Sequence, residues 1–108
     1  MQLVTLPDLV GNNAVHRVTD LMTAAGVAVP TPPNARTVLV RELTGGTTGS
    51  RVGDANVSAA RGVTLSASDS LLLPAIAIGA GLQACFWDLS ALYIYAATGD
   101  TLNIALVL

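Results

Sequence analysis

Apolar and polar positions alternate along most of this chain. In residues 37–43, Val38, Val40 and Glu42 fall on one face, with Leu39, Arg41 and Leu43 on the other. That two-residue period is the signature of a strand. Leu92, Ile94 and Ala96 share a face opposite Tyr93 and Tyr95, and Leu102, Ile104, Leu106 and Leu108 line one face of a final strand. Val63, Leu65 and Ala67 alternate with Thr64 and Ser66. Residues 51–54 give a short strand and turn, and residues 70–73 a strand stopped by Pro74. Residues 75–78 and 83–87 flank Gly79, Ala80 and Gly81, which predicts a hairpin.

Only one segment has a helical period. After Asn13, a candidate N-cap, Val15, Val18, Leu21, Met22 and Ala25 recur at helical spacing, and Gly26 is placed to end the helix. Val29 to Asn34 follows as a stiff linker, with Pro30, Pro32 and Pro33. The expected organisation is therefore an arm, helix and Pro-rich linker over residues 1–34, then a β domain over residues 35–108. The fold class is mainly β: an antiparallel sandwich or jelly-roll-like domain preceded by a short helix, because close-spaced short strands with turn residues between them do not make βαβ units.

Composition adds an assembly argument. The chain has 108 residues, of which 52% are hydrophobic and 11% charged. All five cations are arginines: Arg17, Arg36, Arg41, Arg51 and Arg61. Ordinary domains carry about 25% charged residues, and charge is depleted at the centres of protein interfaces. Much of this exterior is expected to be covered by other protein. Scattered single arginines argue against nucleic acid and against an anionic membrane surface. The most apolar window, residues 71–87, is broken by Pro74, Gly79, Gly81 and Gln83 and is short for a membrane span. The first residues lack the cationic and apolar parts of a secretory signal.

Catalytic chemistry has little to build on. Without lysine there is no phosphate loop of the Walker type, although residues 45–50 are glycine-rich. His16 is the only histidine and Cys85 the only cysteine. A triad or a zinc site needs partners that neither has nearby in sequence. Nearly all of the aspartates, Asp8, Asp20, Asp54, Asp69, Asp88 and Asp100, stand beside turn residues, where their expected role is to close turns through their side chains. No enzyme activity, cofactor or metal is expected. Arg61, between Ala60 and Gly62, is a candidate pin reaching Asp54 or Asp88, with Gly53, Asp54 and Gly62 forming the turns around it. The aromatic residues Phe86, Trp87, Tyr93 and Tyr95, together with Leu106 and Leu108, are the candidate interface residues, because aromatic side chains dominate packing in cores and interfaces alike.

Three stretches carry a resemblance: residues 51–65, with Arg61-Gly62; residues 69–74, Asp-Ser-Leu-Leu-Leu-Pro; and residues 88–100, with Asp88-Leu89-Ser90-Ala91-Leu92-Tyr93. In that order they resemble small virion structural proteins of tailed bacteriophages, above all capsid decoration (cement) proteins. The resemblance covers residues 36–108. It implies a β-sandwich that assembles as a homo-oligomer, often a trimer, on the outer capsid surface, with the major capsid protein as partner. Residues 1–33 and the long segment 75–87 depart from the pattern. They keep open a tail, collar or head–tail connector subunit. A carbohydrate- or receptor-binding module using Trp87, Tyr93 and Tyr95 is the alternative from another class.

Overall fold

The computed structural model describes residues 2–44, 49–66, 69–73, 77–78, 83–84 and 86–108. In chain order the strands are β1 (Leu3–Thr5), β2 (Leu9–Val10), β3 (Ala14–Arg17), β4 (Asn34–Ala35), β5 (Thr37–Thr44), β6 (Arg51–Gly53), β7 (Val63–Thr64), β8 (Ser70–Leu73), β9 (Ala77–Ile78), β10 (Gln83–Ala84), β11 (Trp87–Asp88), β12 (Tyr93–Ala96) and β13 (Thr101–Val107). One α-helix, α1 (Val18–Ala24), follows β3, and a 3-10 turn (Leu89–Ala91) follows β11. The protein is mainly β, with antiparallel pairing throughout these ladders and one short helix.

Two sheets dominate. The first runs β1-β13-β5-β8, with β2 also paired to β13. The second runs β3-β12-β6-β7. The alternation read from the sequence decides which side chains point inward. Val38 and Val40 from β5, and Leu102, Ile104 and Leu106 from β13, meet Val52 from β6 and Ile94 and Ala96 from β12 in a single buried cluster. Intervening residues such as Arg41, Tyr93 and Tyr95 stay outside that cluster, as a pleated strand requires. Apolar burial at about 25 cal/mol per Å² is the main stabilising term for such a core.

The first 34 residues are not a detached arm. β1 pairs with β13 through Leu3↔Val107, Val4↔Leu106 and Thr5↔Ala105, and β3 pairs with β12 from Ala14↔Ala96 to Arg17↔Tyr93. Val18 and Met22 of α1 are wholly buried in the common core. The helix therefore packs on its own chain and depends on that docking.

The helix is shorter than the sequence period suggested. Residues 14–17 form β3, so Val15 and His16 lie on a strand, and Val15 is exposed. Cross-strand pairing with β12 overrides the helical spacing. Asn13 is not the N-cap. Its φ is 57°, and its Oδ1 accepts the Thr98 N–H at 2.9 Å. The N-cap is Arg17, which makes no side-chain cap bond. At the other end Gly26 does terminate the helix, with φ 74°. Its N–H donates to Thr23 O, and the Val27 N–H donates to Met22 O at 2.9 Å. This is the Schellman pattern, and Val27 packs against the core beside it.

β13 is bonded on both sides, by β1 and β2 on one and β5 on the other. It is thus a central strand and not a bare edge. Leu106 is wholly buried between Val4 and Val38. β9 and β10 pair as a hairpin, Gln83↔Ile78 and Ala84↔Ala77, but its second arm does not reach Trp87 as expected: Trp87 lies on β11 and pairs with Ala35 of β4. The glycine turn between them, Cys85 and most of the glycine-rich loop at 45–50 lie outside the described residues.

Candidate functional site

The end of β5 and the residues just before β6 and β13 gather buried acidic and polar groups. The β5–β13 register skips from Leu102↔Glu42 to Thr101↔Thr44, so Leu43 is an extra residue on β5. Such a bulge bends the strand and re-aims the adjoining side chains. Glu42 stays on the inward face with Val38 and Val40 and is wholly buried. The Glu42 N–H donates to Asp69 O. Asp100, which leads into β13, is wholly buried as well, and so is Ser50, which precedes β6.

Ser50 fixes the hydrogen-bond directions. The Ala97 N–H donates to Ser50 Oγ at 3.1 Å, and Ser50 Oγ donates to Asp100 Oδ2 at 2.6 Å. The turn over residues 97–100 is held from the N-terminal side too. The Gly11 N–H donates to Asp100 O at 2.8 Å, and the Asn12 and Asn13 N–H groups donate to Ala96 O. A Cβ on Gly11 would sit 1.7 Å from Ala97 O, so only glycine fits there.

Among the described residues, neither Glu42 carboxyl oxygen nor Asp100 Oδ1 meets a hydrogen-bond donor. Burial pushes the Glu42 pKa from its ordinary 4.5 up to about 7, reinforced by the neighbouring carboxyl group of Asp100 and by the negative charges of Asp100 and Asp69. A bond between two carboxyl groups exists only when one of them carries a proton. Glu42 was legible in part: it is the chain's single glutamate, and the alternation sets it on a valine face. Among the described residues, no cluster of three or more His, Cys, Asp or Glu side chains is arranged to hold a metal ion.

The turn role holds for three aspartates. Asp54 Oδ1 accepts the Asn56 N–H, Asp69 Oδ2 accepts the Ser66 N–H, and Asp88 Oδ1 accepts both the Ser90 hydroxyl and its N–H. The Ser90 hydroxyl, then its N–H, holds the Asp88 pKa below its ordinary value. Asp100 departs from it for the reasons above, Asp20 lies in the first turn of α1, and Asp8 Oδ1 accepts from the Asn103 side-chain amide.

The turn around Gly53, Asp54 and Gly62 is crossed by a guanidinium, though not from Arg61. Arg61 is exposed, and its backbone bridges to Ser58. Arg51 does the crossing: its Nε donates to Ala59 O and its Nη1 to Gly62 O. Gly62 has φ 126°, and an added Cβ would meet Val57 and Val52 O, so the chain passes close here.

The interface residues proposed from sequence separate. Phe86 is exposed, with the Arg36 guanidinium over its ring. Trp87 and Leu108 are half-buried and pack against the core, and Tyr93 and Tyr95 are half-buried on the outer face of β12. Arg17 Nε donates to the Tyr93 hydroxyl at 2.9 Å. Leu106 leaves this set, since it belongs to the core of its own chain. His16 faces Asn12 Oδ1 at 3.0 Å from Nε2, with no catalytic partner beside it among the described contacts. An apolar groove of about 390 Å³ opens where β7 and β8 end the two sheets, walled by Val52, Val63, Leu71, Leu73, Trp87 and Leu92. No described helix is long and apolar enough to cross a membrane.

A scan against protein-family models finds no match, and searches of curated proteins and of solved structures also return none.

Proposed function

We propose that this protein is a non-enzymatic structural subunit that assembles with copies of itself on the outside of a bacteriophage capsid, against the major capsid protein. In this reading the two sheets form a β-sandwich, and residues 36–108 carry the resemblance to capsid decoration proteins. A cement protein needs no reactive group. It needs apolar contact area repeated by symmetry.

The observation that carries the reading is the apolar character of both sheet edges. Val63 on β7 is 54% exposed and Leu72 on β8 is 56% exposed, with the groove between those strands. Phe86 adds an exposed ring at 47%. Charges that would blunt such edges are scarce. The groove walls are almost wholly apolar, which suits a protein side chain better than a sugar's hydroxyl groups.

Sedimentation of the purified full chain, followed by co-sedimentation with phage heads stripped of decoration protein, tests this. The expected result is a trimer that adds to the heads at saturating stoichiometry. A monomer at high micromolar concentration with no affinity for heads overturns the reading.

A further inference from the structure

The buried end of β5 carries an inference that stands independently of the capsid reading. Two acidic side chains, Glu42 and Asp100, are both wholly buried. Three of their four oxygens meet no donor among the described residues. The charged groups that face Glu42 are themselves acidic: Asp100, leading into β13, and Asp69, just before β8. The arginines of the flanking strands turn elsewhere. Arg41 is exposed on the outer side of β5, and Arg51 bonds Ala59 and Gly62. Two adjacent carboxylates cannot both remain ionised in such a place without a counter-charge.

Hydrogen-bond direction favours Glu42 as the holder of the compensating proton. Ser50 Oγ already accepts from Ala97 N–H, so its own hydrogen goes to Asp100 Oδ2. Asp100 Oδ2 is thereby held as an acceptor. Glu42 has no donor of its own. We propose that Glu42 and Asp100 are a proton-sharing carboxyl pair, in which Glu42 keeps a proton and donates it to Asp100 Oδ1, forming a pH-sensitive latch between the two sheets. The latch joins β5 of the first sheet, through Asp100 and Ser50, to the start of β6 in the second. It is closed on the acid side. As the proton leaves to solvent, an uncompensated charge remains in the core and the joint weakens.

The chain's single glutamate makes the test direct. Glutamate labelled with ¹³C at Cδ gives one resonance in the intact protein, which can be followed against pH. The proposal expects it to stay at the protonated position through pH 5.5 and to move only near neutrality. Titration at the ordinary value of 4.5 overturns it. In parallel, unfolding of the wild type and of Glu42→Gln is measured from pH 4.5 to 8. Relative to the variant, the wild-type folding constant should fall by up to about tenfold per pH unit across that window. Equal slopes overturn the proposal, and if the variant does not fold the ¹³C titration decides alone. If Glu42 is ionised at pH 6 and added calcium raises the melting temperature, the pair is a cation site and the shared proton is refuted.

Discussion

Ser50 Oγ donates to Asp100 Oδ2 at 2.6 Å, between two residues that are wholly buried and fifty positions apart. One stands at the start of β6 in the second sheet and the other at the start of β13 in the first. Ser50→Ala removes this bond and also leaves the Ala97 N–H without its acceptor. A buried group left unsatisfied costs about 1–3 kcal/mol, more when charged. The variant should lose roughly 2–4 kcal/mol in urea unfolding at neutral pH. A loss below the resolution of the measurement removes the bond from the stability argument.

Acidity acts through Glu42 with a definite sign. Its folded pKa lies above its ordinary value, so its contribution is complete below pH 4.5 and is lost as pH rises through about 7. The whole span corresponds to roughly 3 kcal/mol as an upper figure. Melting temperature should therefore fall between pH 5 and 8, a range in which Asp88, whose pKa is lowered, is ionised folded and unfolded and adds no slope of its own. Differential scanning calorimetry across that range checks the direction.

Two glycines should respond differently to the same change. Gly11→Ala forces a Cβ against Ala97 O, which cannot yield without moving the turn at residues 97–100. It should lower stability by more than about 3 kcal/mol or prevent folding. Gly26→Ala meets no atom within 4 Å and suffers only from its φ of 74°, costing about 1–2 kcal/mol. Guanidinium unfolding of both variants compares them.

Arginine replacements separate the two readings of the loop around Gly62. Arg51→Ala loses two bonds to loop carbonyls. It should destabilise by about 1–2 kcal/mol and expose that loop to proteolysis. Arg61→Ala should stay within about 0.5 kcal/mol, as surface substitutions do. Limited proteolysis with mass mapping reads both. An equal effect of the two variants contradicts the assignment.

Leu106→Ala opens a cavity beneath β1 and β5 and should cost about 2–5 kcal/mol, whereas Phe86→Ala should cost under about 1 kcal/mol because that ring is exposed. If Phe86→Ala lowers oligomer mass in sedimentation while leaving the melting temperature alone, Phe86 is an interface residue. An unchanged mass removes it from the interface.

Alternation located β5, β12 and β13, and β12 and β13 bury the apolar face it marked, while the same pattern at residues 63–66 yields only the two-residue β7 with Val63 exposed; Gly26 ends the helix as its position suggested. The misreading at residues 13–17 has a physical cause. Val15 and Val18 fit a helical face as well as they fit a strand entering a helix, and only pairing to β12 distinguishes the two. The integration of residues 1–34 was likewise invisible, because a partner strand a hundred residues away leaves no local mark. The buried acidic pair was half visible. Glu42 sits on a valine face, but nothing in the neighbourhood of Asp100 in sequence distinguishes it from an ordinary turn aspartate.

β13 joins residues 3–5 on one flank to residues 37–44 on the other. Most of the chain must therefore be gathered before that ladder can form, and loop closure on this scale precedes any reward from the contacts. Folding should be all-or-none, without a stable half-structured species, and slow compared with helical domains of equal length. A protease that reaches any one of these segments would dismantle the whole sheet rather than trim it.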